Sequence, residues 1–200
     1  MRPPDHRLCV YCGSAPGNDP AYVATARSLG SQMAEAGVGL VYGGGSIGLM
    51  GEVARAVIDR GGHVTGIIPE FLVNKERMQE GVHELIVTTN MHERKMAMFE
   101  RSTGFVALPG GIGTLEELAE ILTWAQLKQH ARPVVLCNVL GFWDGLIELL
   151  NHMRRQGFIR DGFEVNMDVA NGPDKVLPSY FTRRATTRDV PPVQVIQDKF

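Results

Sequence analysis

Short apolar stretches rich in β-branched residues alternate along the chain with longer segments of helical periodicity. The short stretches are "RLCVYC", "VGLVY", "HVTGIIP", "ELIVTT", "GFVALP" and "PVVLC", and "GFEVNMDVA" is a candidate for one more. Strands that are apolar throughout and separated by helices are typical of a parallel sheet covered on both faces. We therefore predict a Rossmann-like three-layer α/β/α sandwich with a mainly parallel sheet of about six or seven strands.

Local signals predict where the helices begin and end. Asp19 followed by Pro20 is a favourable helix start, and Gly37 is a typical residue just past a helix end. Later helices are predicted from Thr114 to Lys128 and, as a short last one, from Pro173 to Phe181.

The length of 200 residues fits one ordinary domain with a sizeable core. We assign residues 1–181 to a single Rossmann-like domain. Residues 182–200 lose helical periodicity and contain Pro191 and Pro192, so we expect a tail that is flexible or docks on a partner subunit.

Composition excludes several classes of partner. The net charge of −2 provides no basic field for nucleic acid or an anionic membrane. No apolar run approaches the roughly 20 residues of a membrane span, and the first seven residues lack the apolar core of a secretory signal. Three cysteines, an odd number, favour a reducing compartment. We expect a cytoplasmic protein.

Cysteine and histidine spacing does not predict a metal site. Cys9 and Cys12 form a C-x-x-C pattern, but they lie on a predicted strand, where residues three apart face opposite sides. We therefore expect buried structural thiols. The six histidines, His92 among them, lack metal-ligand spacing, so no metal site is expected.

Two glycine-rich loops, "YGGGSIGLMG" and "LPGGIGTLEE", follow predicted strands. Ligands of open α/β sheets bind beyond the carboxyl ends of strands, and a helix N-terminus there favours a phosphate. The first loop contains G-x-G-x-x-G as Gly43, Gly45 and Gly48. It could be a dinucleotide fingerprint, a tight turn that packs a helix, or a mononucleotide phosphate site. It follows the second strand, and no acidic residue ends the third, which disfavours the dinucleotide.

The second loop carries a carboxylate. Thr114-x-x-Glu117 matches a capping box, which would make Glu117 structural. Alternatively, an ionised Glu117 near the helix N-terminus could stabilise positive charge at a ribose C1′. Arg94 and Lys95 lie near the start of another predicted helix at the same edge, where cations are mildly unfavourable. They are either solvated surface or partners of an anionic ligand.

Three of these segments together resemble one family. "PGGIGTLEE" resembles the PGGxGTxxE signature of the Lonely Guy (LOG) family, "MHERK" its Arg-Lys element, and "LVYGGGSIGLMG" its first glycine loop. The resemblance implies a homodimer without a cofactor. It would hydrolyse the N-glycosidic bond of N6-substituted adenosine 5′-monophosphates, or of AMP itself, to the free cytokinin or adenine base and ribose 5-phosphate.

The resemblance also implies site residues. Glu117 and Arg94 match the catalytic pair. The substrate contacts implied are Glu76, Lys95, Gly110, Gly111, Ile112, Gly113, Thr114, Leu115, Glu116 and Thr123, with Gly43, Gly44 and Gly45 of the first loop. Ile112 replaces an often aromatic residue and the surroundings of Glu76 diverge, which affects the expected fit of the N6 substituent.

Two other functions remain open from the sequence. One is a non-catalytic nucleotide-sensing module of the same fold, and the other is an NAD(P)-dependent enzyme. Members of the family are often labelled lysine decarboxylases, but nothing in the sequence suggests a lysine that carries pyridoxal phosphate.

Overall fold

A computed structural model describes residues 3–73, 79–160, 162 and 165–186. Seven parallel strands form one sheet in the order β4-β3-β2-β1-β5-β6-β7. The strands are β1 (Arg7–Tyr11), β2 (Gly39–Tyr42), β3 (Val64–Pro69), β4 (Glu84–Thr88), β5 (Gly104–Ala107), β6 (Val134–Cys137) and β7 (Asp168–Ala170). The helices are α1 (Pro20–Glu35), α2 (Gly48–Ile58), α3 (Glu70–Val73), α4 (Met91–Glu100), α5 (Ile112–Gln126), α6 (Asp144–Arg155) and α7 (Pro173–Thr186). The predicted α/β fold with a parallel sheet is confirmed.

The strand order reverses between β1 and β5. From β1 the chain builds the sheet outward to β4, and it then returns to pair β5 against the other side of β1. In this architecture, ligands bind beyond the carboxyl ends of the strands at such a reversal of strand order. The fold thus places the loops after β1 and β5 at the point where a site is expected.

Each face of the sheet has its own hydrophobic core. Leu29 of α1, Val53 of α2 and Tyr180 of α7 belong to one cluster, and Met98 of α4 and Leu118 of α5 belong to the other. The helices α4 and α5 therefore lie side by side on the same face of the sheet. This shared core fixes the position of α4 relative to α5, and so of side chains that meet between the two helices.

The two cysteines of the C-x-x-C pattern face opposite sides of the sheet, as predicted. Cys12 belongs to the core cluster on the α1 side and Cys9 to the cluster on the α4 side. Both are buried free thiols, and burial raises the pKa of Cys9 to about 12. A thiol that stays protonated is a poor redox or metal-binding group.

The predicted boundaries of α1 are confirmed in atomic detail. The Asp19 side chain accepts a hydrogen bond from the Ala21 backbone at 2.8 Å. Gly37, just past the helix, has φ +66, a conformation that glycine adopts without strain.

The last helix is longer than predicted. It continues past Phe181 to Thr186, because Arg183 pairs with Asp168 of β7 at 2.6 Å and holds this segment against the sheet edge. Residues 187–200, the remainder of the expected tail, lie outside the described residues. Within the part of the chain that the structure describes, no helix combines the length and apolar character needed to cross a bilayer.

Candidate active site

The N-terminus of α5 is open toward the solvent. Gly111 is the N-cap, it offers no capping side chain, and the first bond of the helix runs from the Leu115 amide to the Gly111 carbonyl at 3.1 Å. Among the described residues, no acceptor bonds the backbone amides of Ile112, Gly113 and Thr114. Unpaired amides at the positive end of a helix dipole make a binding site for an anion such as a phosphate.

The predicted capping box at this helix is wrong. The helix begins at Ile112, two residues before the predicted start, so Thr114 is its third residue and cannot act as the N-cap. Thr114 is instead buried, and its hydroxyl packs so closely on Gly110 that a Cβ there would overlap it. Glu117 consequently has no capping role.

The N-terminus of α2, by contrast, is already occupied. The amides of Leu49 and Met50 both donate to the Gly13 carbonyl, at 3.0 and 3.3 Å. Gly48 has φ +58 and lies against the Ser14 backbone, where a Cβ would overlap it. The first glycine loop therefore packs α2 against the loop after β1. Two amides of the first turn of α2 are thus already bonded and cannot hold the pyrophosphate of a dinucleotide, which argues against the NAD(P) alternative.

Arg94 and Glu117 form a buried ion pair between α4 and α5. The Arg94 Nη1 donates to Glu117 Oε1 at 2.9 Å, and its Nε donates to the Ile67 carbonyl of β3 at 3.1 Å. Each side chain retains only 11% of its exposure. Gly43, at the end of β2, makes room for this arginine, because a Cβ at that position would overlap Arg94 Nη2.

The ionisation of Glu117 depends on Arg94. Burial raises the pKa of Glu117, the charge of Arg94 opposes this rise, and the neighbouring Glu116 adds to it, with a raised pKa as the net result. The sequence predicted that proximity to the helix N-terminus would keep Glu117 ionised. Because α5 starts at Ile112, Glu117 lies in the second turn, where the dipole has little effect.

Lys95 contacts two carboxylates on α5. Its Nζ lies 2.6 Å from Glu116 Oε1 and 3.0 Å from Glu120 Oε1. Burial acts to lower the pKa of Lys95, but the two carboxylates outweigh it and raise the pKa. A lysine that forms a Schiff base needs the opposite shift.

The other predicted contact residues occupy different surroundings. Ile112 is 81% exposed. Gly111 and Gly113 are also exposed, and a Cβ on either would meet nothing within 4 Å. Thr123 is exposed on α5, and its hydroxyl donates to the Ala119 carbonyl at 2.7 Å. Glu76 lies outside the described residues.

Residues of the loop after β1 were missed by sequence reasoning. The Gly13 amide donates to the Pro109 carbonyl at 3.0 Å, so this loop touches the loop after β5 as well as α2. Ser14 next to it is exposed. The position of this loop could have been predicted from the sequence, because the loop after the first strand of such a sheet lies where the strand order reverses.

An apolar groove of about 370 Å³ lies on the other side of α5. Its walls include Gly111, Ile112 and Leu115 of the α5 segment and Trp143 and Leu146 of the α6 segment. At 100° per residue, Ile112 and Leu115 point away from the Glu117 side of the helix. No group of three or more metal-ligating side chains occurs among the described residues.

Comparison with solved structures identifies the same fold in proteins of low sequence identity. The Moco carrier protein from Chlamydomonas reinhardtii superimposes with a TM-score of 0.67 at 24% identity, over 92% of this chain and 99% of that one. The molybdenum cofactor binding protein from Rippkaea orientalis gives a TM-score of 0.64 at 22% identity, over 89% of this chain and 95% of that one.

Relatives of known name are more similar in sequence. The rice cytokinin riboside 5′-monophosphate phosphoribohydrolase LOG is 50% identical over 155 residues, which are 78% of this chain and 64% of that protein. The rice protein named probable cytokinin riboside 5′-monophosphate phosphoribohydrolase LOGL5 is 48% identical over 76% of this chain and 62% of its own. The chain thus spans less than two thirds of these two relatives.

A third relative is covered more completely. The Arabidopsis thaliana cytokinin riboside 5′-monophosphate phosphoribohydrolase LOG2 is 47% identical over 76% of this chain and 72% of its own. Residues 50–179 match a family model described as "Possible lysine decarboxylase". By this match and these identities, the chain belongs to the Lonely Guy (LOG) family, to which that family model corresponds.

Proposed function

We propose that this protein hydrolyses the N-glycosidic bond of adenosine 5′-monophosphates, with or without an N6 substituent. The products are the free cytokinin or adenine base and ribose 5-phosphate. The observation that carries the proposal is the buried Arg94–Glu117 pair one helical turn from the open N-terminus of α5. The names of the relatives, phosphoribohydrolases of cytokinin riboside 5′-monophosphates, support the same reaction.

In this proposal the phosphate anchors the substrate. It binds the backbone amides of Gly111 to Thr114, which lack acceptors within the described residues. Binding energy from the phosphate, which does not react, then positions the ribose for bond cleavage.

Glu117 supplies the charge that the reaction needs. Cleavage of the bond between C1′ and N9 builds positive charge on the ribose, and an ionised carboxylate in a site shielded from water stabilises it strongly. Arg94 favours the ionised form of Glu117, because its charge lowers the pKa that burial raises, and it fixes the orientation of the carboxylate through the 2.9 Å bond. Water adds at C1′, and the base leaves with a proton, so one water is consumed for each bond broken.

We also propose that the protein acts as a homodimer, as the family resemblance implies. The edge strand β4 exposes Leu85 and Val87, and Phe71 of α3 is 51% exposed beside the adjoining strand β3. Apolar side chains on a sheet edge favour contact with another chain. A second copy would cover them.

Chromatography of base release tests the reaction. Purified protein is incubated with AMP, N6-isopentenyl-AMP and the two corresponding nucleosides. The proposal predicts release of base from the monophosphates at least tenfold faster than from the nucleosides, because the phosphate supplies the anchoring energy. Binding of AMP without release of base from any of the four would instead favour a nucleotide-sensing module.

A further inference from the structure

Two cations of α4 face three carboxylates of α5. Arg94 and Lys95 are consecutive in the sequence, and Glu116, Glu117 and Glu120 lie within little more than one turn of their helix. Several pairings are therefore open to these side chains. The structure contains one of them, in which Arg94 pairs with Glu117 and Lys95 with Glu116 and Glu120.

The two sets of ion pairs differ in burial. Arg94 and Glu117 each retain 11% of their side-chain exposure, whereas Glu116 retains 52% and Glu120 retains 25%. Lys95 retains 17% of its side-chain exposure, and its Nζ contacts both of the more exposed carboxylates. It is thus placed to hold the outer carboxylates apart from the inner one.

We propose that Lys95 is a positioning residue, which binds Glu116 and Glu120 so that Glu117 alone pairs with Arg94. The role of Glu117 in catalysis rests on the proposed function, but the pairing itself does not. Two of the three Nζ donors of Lys95 already bond carboxylates. This arrangement differs from the direct phosphate or ribose contact that the family resemblance implies for the residue.

The charges of Lys95 and Glu116 affect the pKa of Glu117. Glu116 raises the pKa of Glu117 and Lys95 lowers it, so these two neighbours act in opposite directions on the same carboxylate. The charged and titratable groups around Glu117 are Arg94 and Lys95 on α4, Glu116 and Glu120 on α5, Cys9 and Tyr11 on β1, and Cys12 directly after β1. Burial raises the pKa of Cys9, Tyr11 and Cys12, so these three groups remain uncharged near neutral pH.

Titration of the Glu117 carboxyl carbon by NMR, in protein labelled with ¹³C-glutamate, tests the positioning role without any turnover. The Glu117 signal is assigned as the one missing from Glu117→Gln. We expect Lys95→Met to move the midpoint upward by about 0.5 to 1 pH unit and Glu116→Gln to move it downward. Lys95→Arg, which preserves the charge, should move it by less than about 0.3 unit. An unchanged midpoint in Lys95→Met would overturn the proposal.

Binding of ribose 5-phosphate separates positioning from direct phosphate contact. It is measured by calorimetry about two pH units above the Glu117 midpoint, where Glu117 is ionised in both proteins. A positioning residue predicts less than about a threefold loss of affinity in Lys95→Met. A loss of affinity of tenfold or more would show that Lys95 binds the phosphate directly, and it would overturn the proposal. Neither readout requires that the protein hydrolyse AMP, so failure of the proposed function would be seen separately.

Discussion

At the scale of single residues, the raised pKa of Glu117 predicts the pH dependence of the proposed reaction. Burial raises this pKa and Arg94 only partly opposes the rise, so Glu117 takes up a proton at a higher pH than an exposed glutamate. Hydrolysis that needs the ionised carboxylate is present above that pKa and is lost as the pH falls through it.

We therefore predict an acidic limb in the pH profile of kcat/KM for AMP. Its midpoint should lie above the ordinary glutamate value of about 4.3. The measurement is the rate of base release across the pH range, with folding monitored by circular dichroism at each point. A midpoint at or below the ordinary value would mean that Glu117 is not the group whose ionisation controls the rate.

Gly43 offers a test of how closely Arg94 must be placed. In Gly43→Ala the new Cβ would overlap Arg94 Nη2, which is the end of a flexible side chain and can move aside. We expect the melting temperature to change by no more than about 4 °C, while kcat falls roughly 10²-fold because the guanidinium no longer meets Glu117.

Gly145→Ala is the matched control for this change. A Cβ at Gly145, in α6, would meet nothing within 4 Å, so activity and fold should both be retained. Equal activity in the Gly43 variant and its control would show that the position of the Arg94 guanidinium is not critical.

At the scale of secondary structure, the two glycine loops differ in whether their helix amides are free. The amides of Leu49 and Met50 in α2 are bonded to the Gly13 carbonyl, whereas those of Ile112 and Gly113 in α5 have no acceptor among the described residues. Titration of ¹⁵N-labelled protein with ribose 5-phosphate should shift the α5 amide signals and leave the α2 signals in place. Larger shifts of the α2 amide signals would show that the phosphate binds at the first glycine loop instead.

The start of α5 also shows where sequence reasoning reached its limit. The segment Gly111-Ile112-Gly113 contains two poor helix formers and an apolar residue that is left 81% exposed, so local propensity favoured a later start at Thr114. Such a start suits a ligand site better than it suits stability. The helix α7 was predicted too short for a different reason, because the bond from Arg183 to Asp168 is tertiary.

The strands and their sequence along the chain were predictable, because each strand is a short apolar run that the parallel sheet buries. The pairing of Arg94 with Glu117 was not predictable from spacing, since 23 residues separate them and only the topology brings α4 beside α5. The family resemblance named both residues. It gave no indication that Lys95 would contact Glu116 and Glu120.

At the scale of the whole molecule, the exposed apolar residues of β4 predict the location of the interface in the proposed homodimer. Val87 of β4 and Val169 of β7 are partly exposed valines on opposite edge strands. A charge at the interface should prevent association, so Val87→Arg should sediment as a monomer and Val169→Arg as a dimer. If sedimentation velocity shows a dimer for Val87→Arg and a monomer for Val169→Arg, the interface lies at β7 instead.

The reversal of strand order between β1 and β5 brings the elements of the site together. It sets the loops after both strands at one crevice, and β3, α4 and α5 supply the contacts of the Arg94–Glu117 pair. The proposed reaction thus depends on the carboxylate of Glu117.

Replacement of Glu117 by Gln tests whether this carboxylate is catalytic. Release of adenine from AMP and calorimetric binding of AMP are measured on the wild type, on Glu117→Gln and on Glu148→Gln, a control of the same chemistry at an exposed ion pair on α6. The account predicts that Glu117→Gln folds and binds AMP but has a kcat about 10²- to 10⁴-fold below that of the wild type, while the control is unaffected. A folded Glu117→Gln protein that releases adenine at the wild-type rate would contradict it.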